Sequence, residues 1–364
     1  MRILIIANDD VGLYRFRREL IEELLKTNEV HICLPDGECI LCLKTMGCIY
    51  HAYEFDCHGT NLFAELKQLF FYKKLLKLVK PDVVLTYTIK PNVYAGIACA
   101  SMNVPYIANI TGLGIAIEKG GTMQKLLLVL YKYGLRKAQM VFFQNETNRS
   151  FMLSKGVIKG LHELLPGSGV NLKENRAEEY PKQESPLILV TVGRIMKDKG
   201  TDEVLYAARM IRKEYPNVIF RLIGDFDGAY QDLVNQAVAN GEIEYLGQQS
   251  DVHAFLKDAH AIVHASYHEG MSNVLLEAAA CARPIIATDV AGCREIYDDG
   301  ISGISCKARD GDDLVRAIKE FISLSHNERA AMGIAGRQKV ESEFDRNIVI
   351  RKYLEEIRKV EKIN

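Results

Sequence analysis

The chain has 364 residues, which is too many for one ordinary hydrophobic core and suits two domains. Its 48% apolar and 26% charged content is normal for a soluble globular protein. The net charge of -1 argues little by itself, and binding of duplex nucleic acid would need a stronger basic stripe than this sequence has. No apolar run is long enough to span a bilayer, and the apolar start, residues 1–7, is too short for a signal peptide, so we expect a cytoplasmic protein.

The charge is distributed unevenly along the chain. Residues 1–170 contain 20 Lys and Arg against 15 Asp and Glu, a net of +5, and because the whole chain carries -1 the remainder carries -6. A basic first half beside an acidic second half predicts an anionic partner for the first half.

The first half alternates between strand and helix patterns. Short apolar runs predict buried strands, and apolar residues at a spacing of three to four predict helices. In chain order the strands are RILIIA, EVHICLP, DVVLTYT, PYIANIT and MVFFQN, and the helices are LYRFRRELIEELLK, LFAELKQLFFYKKLLKLVK, VYAGIACASM and TMQKLLLVLYKYGLRKA. Such alternation predicts an α/β fold with a parallel, doubly wound sheet.

A break in this rhythm separates two halves. Residues 166–186 are rich in charge and proline and poor in core residues, which indicates a linker. The alternation then resumes with strands LILVTVG, VIFRLIG, IEYLG, AIVHAS and PIIATD, with helices at 201–214, 229–240, 251–258 and 272–281, and with a final helix NIVIRKYLEEIRKVEKI. We therefore predict two Rossmann-like domains, residues 1–168 and residues 169–345.

Loops at the carboxyl ends of parallel strands are where such domains bind ligands. The loop after LILVTVG places Arg194 and Lys199 beside the amino end of the next helix. Fixed cations together with helix N–H groups suit a diphosphate, although a solvated basic turn has the same composition. We expect this loop to face a cleft that the two domains share.

A second loop of this kind precedes the helix at 272–281. Gly270 lets the backbone approach a ligand, and the N–H groups near Met271 to Asn273 point out of the helix start. Glu269 stands before the helix and Glu277 inside it, roughly 12 Å apart at most. Carboxylates accept paired hydroxyls, so Glu277 suits a ribose and Glu269 a transferred sugar, unless both are ordinary surface acids.

These segments resemble the retaining glycosyltransferases of family 4. The resemblance rests on VGRIMKDKG, RLIGDFDG, IEYLGQQSDV, HASYHEGMSNVLLEAAACARPIIATDVAGCREI and DDGISG, which occur in family order, and it covers nearly the whole chain. It implies the GT-B fold, in which two Rossmann-like domains face each other across a cleft and the last helix, residues 346–364, packs back on the first domain. It also implies sugar transfer with retention at the anomeric carbon.

The resemblance assigns roles in the second domain, which it makes the nucleotide-sugar-binding domain. Arg194 and Lys199 would hold the donor diphosphate, and Glu277 would hold the ribose. Glu269 and the start of the helix, Gly270, Met271, Ser272 and Asn273, would bind the donor sugar. The base would lie in a pocket around Tyr245 to Val252. Arg194, Lys199 and Glu269 are the expected catalytic residues.

The first domain is expected to bind the acceptor and to contribute a few donor contacts. By the same resemblance Gly12 brings backbone close to the donor phosphate or acceptor, in a loop NDDVGLYRF. Many family members place a histidine where this chain has Asn109-Ile110-Thr111, so Asn109 or Thr111 would supply that contact.

A narrower branch is indicated by TYTIKPNVYAG and ANITGLG, which resemble enzymes that extend lipid-linked oligosaccharides with N-acetylgalactosamine or related sugars. Arg15 and Arg18, three residues apart on one helix face, would grip the diphosphate of a polyprenyl-linked acceptor. Lys90 follows a strand and would reach either diphosphate.

Two basic helices in the first half carry no acid over most of their length. One contains lysines 67, 73, 74, 77 and 80, and the other contains Lys125, Lys132, Arg136 and Lys137, mixed with aromatic and aliphatic residues. Such helices are typical of proteins that lie on an anionic membrane surface, although amphipathic helices packed on a sheet look similar.

Two patterns resemble metal sites, and we expect neither to hold a metal. Cys39 and Cys42 form a CxxC, but a second pair that would close a zinc site is missing from the region between Cys33 and Cys57. Asp225 and Asp227 form a DxD in a polar turn without a third ligand. Because cations would neutralise the leaving diphosphate, no metal or cofactor is required for that step.

The sequence therefore predicts a transferase that moves an N-acetylhexosamine, with N-acetylgalactosamine the first choice, from a UDP-sugar to a polyprenyl-diphosphate-linked saccharide. It would work at the inner face of the plasma membrane in bacterial glycan assembly. The alternatives are transfer of another hexose in capsule or lipopolysaccharide synthesis, a UDP-sugar epimerase, and a non-enzymatic UDP-sugar binder.

Overall fold

A computed structural model of the chain describes residues 1–53, 62–114, 117, 120–183, 186–228 and 230–361. It divides into two compact units. The first unit comprises Met1–Ser168 with Asn347–Asn364, and the second comprises Gly169–Arg346.

The first unit alternates strands and helices. Its strands are β1 (Arg2–Ile6), β2 (Glu29–Leu34), β3 (Ile49–Ala52), β4 (Val83–Tyr87), β5 (Tyr106–Ile110), β6 (Met140–Phe143) and β7 (His162–Leu164). Its helices are α1 (Asp10–Leu25), α2 (Ile40–Thr45), α3 (Leu62–Val79), α4 (Gly96–Met102), α5 (Gly121–Leu135) and α6 (Glu146–Ser154), and a π-helical turn (Pro91–Ala95) leads into α4.

The second unit repeats the alternation. Its strands are β8 (Leu187–Val192), β9 (Val218–Ile223), β10 (Glu244–Tyr245), β11 (Ala261–His264), β12 (Ile285–Thr288) and β13 (Gly303–Cys306). Its helices are α7 (Thr201–Glu214), α8 (Gln231–Ala239), α9 (His253–Asp258), α10 (Asn273–Ala280), α11 (Gly311–Ser323) and α12 (His326–Glu343), with a 3-10 turn (Lys197–Lys199) before α7. The last helix, α13 (Arg346–Glu361), returns to the first unit.

The two sheets share one strand order over six strands, the first sheet adds a seventh strand, and within the described ranges every pairing is parallel. The first runs β3-β2-β1-β4-β5-β6-β7, and the second runs β10-β9-β8-β11-β12-β13. In each sheet the order reverses beside the first strand, between β1 and β4 or between β8 and β11. Doubly wound sheets bind ligands at the carboxyl ends of strands at such a reversal.

Alternate residues of β1 pack on opposite faces of the first sheet. Ile3 and Ile5 belong to a buried cluster with α1 and α13, whereas Leu4 and Ile6 belong to a second cluster with α3 and α4. Both faces are covered, so the interior of a central strand must be apolar, as the buried residues Ile3 to Ile6 are. The predicted parallel, doubly wound fold class is confirmed.

Helix α13 is anchored on the first unit by Tyr353, which is fully buried. The Tyr353 hydroxyl accepts a hydrogen bond of 2.7 Å from Asn109 Nδ2, and its ring lies 5.0 Å from the ring of Phe142. The expectation that the last helix packs on the first domain is therefore confirmed.

The segment that composition marks as a linker is largely fixed to the second unit. Arg283 is fully buried and donates hydrogen bonds to five carbonyl groups, two of them on Glu178 and Glu179. Arg337 donates to the carbonyl of Asn175 at 2.8 Å. Residues 175–179, which we call the strap, are thus held by guanidinium groups rather than by apolar packing.

Several short elements lie outside the sequence expectations. The pair α2 and β3, the pair α6 and β7, and the run β13, α11 and α12 add to the predicted order. Strand β3 has the burial pattern of an edge strand, with no fully buried residue, so it has no apolar run to reveal it. Within the described residues, no helix is both long enough and apolar enough to cross a bilayer.

Candidate functional site

The loops after β8 and β11 meet at the strand reversal of the second sheet, because these two strands are neighbours. The Tyr267 N–H donates a hydrogen bond of 2.9 Å to the Asp198 carbonyl, which joins the two loops. A small pocket there is lined by Gly193, Arg194, Lys199 and His264, among others. The structure therefore brings both predicted diphosphate-binding cations to one place.

Glu269 is the centre of a polar network in this place. Its Oε1 accepts a hydrogen bond of 2.5 Å from Lys199 Nζ and lies 3.1 Å from His264 Nε2. Burial raises the pKa of Glu269, but the His264 hydrogen bond and the Lys199 charge lower it by more, so its pKa lies well below the ordinary value. Glu269 is therefore an ionised hydrogen-bond acceptor at neutral pH.

Arg194 forms an ion pair on the exposed side of the same loop. Its Nη1 lies 2.8 Å from Asp227 Oδ2, and the two side chains are 65% and 48% exposed. Exposed pairs contribute little free energy, so the guanidinium can exchange this partner for another anion at small cost. The second acid of the DxD pattern thus has a cation, Arg194, as its partner.

Ser272 caps the start of α10, and this corrects one expectation. Its Oγ accepts a hydrogen bond of 3.4 Å from the Leu275 N–H and lies 3.2 Å from His264 Nε2. Its own N–H donates to the Gly292 carbonyl at 2.8 Å, so that N–H does not point toward a ligand as we expected. Ser272 shapes the helix start instead.

The neighbouring residues at this helix start offer other groups. Gly270 is half-buried in the loop, and Met271 is buried among apolar side chains of the second unit. Asn273 Oδ1 is buried and has no hydrogen-bond partner among the described residues. An unpaired buried acceptor is unfavourable, and a hydroxyl group from a ligand would satisfy it.

The residue expected at the ribose, Glu277, lies on α10. Of the residues expected at the base, Tyr245 ends β10 and Val252 precedes α9. Glu277 is half-buried on α10, between Leu276 and Ala278, which are fully buried. The Tyr245 hydroxyl donates to the Gly224 carbonyl at 3.0 Å. Val252 is half-buried and packs on the apolar cluster that contains Leu276.

Two expectations for the first unit need correction. Gly12 lies in the first turn of α1 rather than in a loop, because Asp9 caps the helix by accepting the Gly12 N–H at 2.6 Å. A Cβ at Gly12 would lie 2.4 Å from Asp9 Oδ2, so the glycine makes room for the cap. Asn109 is 1% exposed and its amide nitrogen donates to Tyr353, so this nitrogen faces α13 rather than a ligand. Thr111 is half-buried just after β5.

The cations expected at the acceptor have different surroundings. Arg15 is exposed on α1, whereas Arg18 lies 3.6 Å from carboxylate oxygens of both Glu19 and Glu22. Lys90 pairs with Glu65 at 3.1 Å. Their role in acceptor binding stays a prediction.

Comparisons with known proteins follow the division into two units. A family described as "Glycosyl transferase 4-like" matches residues 2–145, and one described as "Glycosyl transferases group 1" matches residues 173–339. HepE from Anabaena, solved with UDP and glucose, has the same fold at a TM-score of 0.79 over 98% of both chains, at 18% identity. The chain is a GT-B glycosyltransferase.

Two curated relatives align with nearly all of this glycosyltransferase. One is N,N'-diacetylbacillosaminyl-diphospho-undecaprenol alpha-1,3-N-acetylgalactosaminyltransferase from Campylobacter jejuni, which is 28% identical over 97% of each chain. The other is the capsular polysaccharide biosynthesis glycosyltransferase CapM from Staphylococcus aureus, which is 24% identical over 95% of this chain and 93% of its own.

The sequence analysis did not predict one residue of the candidate site, His264. It is 4% exposed, ends β11, and contacts both Glu269 and Ser272. The available signal was a polar residue in an otherwise apolar strand, AIVH, at the end where ligands bind.

The cysteines of the predicted CxxC region differ in how far they are buried. Cys33 and Cys48 are buried, Cys39 is half-buried and Cys42 is exposed, whereas Cys57 lies outside the described residues. Within the described ranges, no group of three or more His, Cys, Asp or Glu side chains is arranged to hold a metal ion.

Proposed function

We propose that this glycosyltransferase moves an N-acetylhexosamine from a UDP-sugar to a polyprenyl-diphosphate-linked saccharide, with retention at the anomeric carbon. N-acetylgalactosamine is the first choice, because the Campylobacter jejuni relative is named for that sugar and for a diphospho-undecaprenol-linked acceptor. The observation that carries the proposal is the network of Lys199, Glu269 and His264 at the strand reversal of the second sheet.

The second unit would bind the donor. Lys199 and Arg194 would exchange Glu269 and Asp227 for the diphosphate, because a group with two negative charges attracts each cation more strongly than a single carboxylate does. Glu269, once it has lost this partner, would accept hydroxyl groups of the sugar, and Glu277 would accept those of the ribose. The base would lie between Tyr245 and Val252.

The chemical step would break the bond between the anomeric carbon and the β-phosphate oxygen and form a bond from that carbon to the acceptor hydroxyl oxygen. The hydroxyl proton would pass to a departing phosphate oxygen on the same face. Negative charge grows on the diphosphate as the bond breaks, and Arg194, Lys199 and the amino end of α10 would stabilise it. Each such contact is worth about 3 kcal/mol of barrier, or about two orders of magnitude in rate.

The first unit would meet an anionic membrane through helices α3 and α5. Both helices belong to the same side of the first sheet, since each packs on α4. Their outer sides expose Leu66, Phe70, Leu78, Met123, Leu126, Val129 and Tyr133 beside Lys67, Lys74, Lys77, Lys125, Lys132 and Arg136. We call these residues the basic apolar surface, a composition that suits anionic headgroups and the start of the acyl chains.

The experiment for the reaction uses radiolabelled UDP-sugars and a set of polyprenyl-diphosphate saccharides. We expect label from UDP-N-acetylgalactosamine to enter the organic phase, with an α linkage in the product by NMR coupling constants. Label from UDP-glucose or UDP-galactose instead would favour the capsular alternative, which the relative CapM keeps open. An altered sugar nucleotide would indicate an epimerase, binding without turnover would indicate a sensor, and either result would overturn the proposal.

The experiment for the membrane uses flotation with vesicles of phosphatidylglycerol or of phosphatidylcholine. We expect binding to the anionic vesicles only, with loss of about 2 kcal/mol for each lysine that is reversed in charge, since each change removes one attraction and adds one repulsion, tested with Lys74→Glu and Lys77→Glu. Lys213→Glu and Lys257→Glu, exposed lysines of the second unit, serve as the matched control. Equal binding of both variants would contradict the surface that we propose.

A further inference from the structure

His264 contacts both the acid of the candidate site and the cap of α10. It ends β11 and is 4% exposed, and its Nε2 lies 3.1 Å from Glu269 Oε1 and 3.2 Å from Ser272 Oγ. An ionised carboxylate can only accept hydrogen bonds, so the proton of the first contact is on Nε2. One buried ring nitrogen therefore holds both the catalytic-site acid and the cap of α10.

Lys199 Nζ also binds this oxygen of Glu269, at 2.5 Å. A donor diphosphate would draw this ammonium away, because Lys199 carries a single charge and two anions would compete for it. The Glu269 side chain is only 14% exposed. A buried carboxylate that loses its counter-charge is strongly unfavourable unless other donors remain.

We propose that His264 is the positioning residue that keeps Glu269 in place while Lys199 turns to the donor diphosphate. This inference rests on the function proposed above. His264 keeps its hydrogen bond to Glu269 when the donor arrives, since its ring is buried at the end of β11. Glu269 then stays a charged acceptor, and the site takes a sugar that presents hydroxyl groups to it.

Without His264, two outcomes are available to Glu269, and both slow the transfer. Glu269 retains Lys199, so the leaving diphosphate loses a cation. Alternatively Glu269 takes up a proton, because burial raises its pKa and the opposing His264 contact is gone. In the second case its hydroxyl donates where an acceptor is needed.

The test compares His264→Phe, His264→Gln and His264→Asn in the full chain. The glutamine amide nitrogen reaches the position of Nε2, whereas the asparagine side chain is too short to do so. We expect His264→Phe and His264→Asn to lose about 100-fold in kcat, and His264→Gln to stay within about fivefold of the unaltered protein. The dissociation constant for UDP, measured by calorimetry, separates the two outcomes: it should rise where Glu269 retains Lys199, and it should change less than about threefold where Glu269 takes up a proton and in His264→Gln.

The matched control is His31→Phe, which replaces another buried histidine that is hydrogen-bonded to a glutamate, Glu29 at 2.6 Å, in the first unit. We expect its kcat to be unchanged. A normal kcat in His264→Phe, or an equal loss of kcat in His264→Gln and His264→Phe, would overturn the role of His264. So would a joint loss of UDP binding and thermal stability, which a merely structural residue would give. An unaltered protein that neither binds UDP nor labels a lipid would instead overturn the proposed function.

Discussion

At the residue scale, both cations that we assign to the diphosphate already have a carboxylate partner in the structure. Lys199 pairs with Glu269 and Arg194 pairs with Asp227. The first pair is largely buried and the second is exposed, so the two exchanges differ in cost. Removing Arg194 should therefore affect the transition state without affecting the fold.

Arg194→Ala tests this assignment. We expect kcat to fall about 100-fold, because the growing charge on the diphosphate loses one cation, while the free energy of unfolding changes by less than about 1 kcal/mol. Steady-state kinetics and urea denaturation measure the two effects. Arg209→Ala, which removes a comparable surface pair with Glu242, is the control and should leave kcat unchanged. Near-normal turnover of Arg194→Ala would remove this residue from the mechanism.

His260 makes the stability of the second unit depend on pH. Burial and the nearby Arg329 and Arg283 charges lower the pKa of His260 from 6.5 to about 4, and its Nδ1 accepts the Ile188 N–H at 3.1 Å. The unfolded chain therefore takes up a proton at a higher pH than the folded chain does. Stability is complete above pH 6.5 and falls as the pH drops from 6.5 to about 4, by about 3 kcal/mol at most.

The variant His260→Asn checks this, since its amide oxygen still accepts the Ile188 N–H but does not titrate. We expect the free energy of unfolding of the variant to change less than that of the unaltered protein between pH 7 and pH 4, as measured by urea denaturation at several pH values. Parallel curves for the two proteins would show that His260 does not contribute.

The sequence predicted Glu269 and Glu277 around one helix start because their spacing is characteristic of the family, and it predicted Lys199 in another loop at the carboxyl end of a strand, where ligands bind. It could not predict the direction of Asn109. Every residue of β5 is buried, so the strand pattern does not reveal which face a given residue occupies. The structure answers this through register, since Asn109 lies on the face where α13 packs.

At the element scale, the close packing of α5 on the π-helical turn depends on Gly134. A Cβ at Gly134 would lie 2.7 Å from both the Asn92 carbonyl oxygen and the Val93 Cα. These are backbone atoms, which cannot move away from an added methyl group as the end of a flexible side chain can. Gly134 therefore sets the distance between α5 and the turn, although glycine inside a helix is locally unfavourable.

Gly134→Ala should lower the free energy of unfolding by about 1–3 kcal/mol through this overlap, despite the better helix propensity of alanine. Thr122→Ala, at an exposed position of the same helix, is the control and should change little. Urea denaturation followed by circular dichroism measures both. A stabilised Gly134→Ala would show that the turn can move away.

The long elements were predicted within a few residues, since apolar periodicity decides them. For example, the helix predicted at 201–214 is Thr201–Glu214. The start of α1 was predicted three residues late, because the cap supplied by Asp9 is polar and the first turn has no apolar repeat. Caps and edge strands depend on single hydrogen bonds, which a periodicity argument does not detect.

At the scale of the whole molecule, the residues proposed to bind the diphosphate, the ribose and the base all belong to the second unit, Gly169–Arg346. A ligand that binds only the folded state stabilises it by mass action. UDP at about 100 times its dissociation constant should add about 2.7 kcal/mol to the stability of that unit. Differential scanning calorimetry with and without UDP measures the shift in the unfolding midpoint, and AMP is the control nucleotide. An equal shift with both nucleotides would argue against a diphosphate site.

The strap has a consequence for anyone who wishes to produce the second unit alone. A fragment that begins at Pro186 contains every strand of the second sheet, so it looks complete on inspection of the sequence. It nevertheless lacks Glu178 and Glu179, whose carbonyl oxygens accept hydrogen bonds from the two terminal nitrogens of the buried Arg283 guanidinium. We expect that fragment to be less stable to urea than one that begins at Gly169, because two of the five acceptors of Arg283 are lost and a fragment boundary has to respect hydrogen-bond acceptors as well as strands.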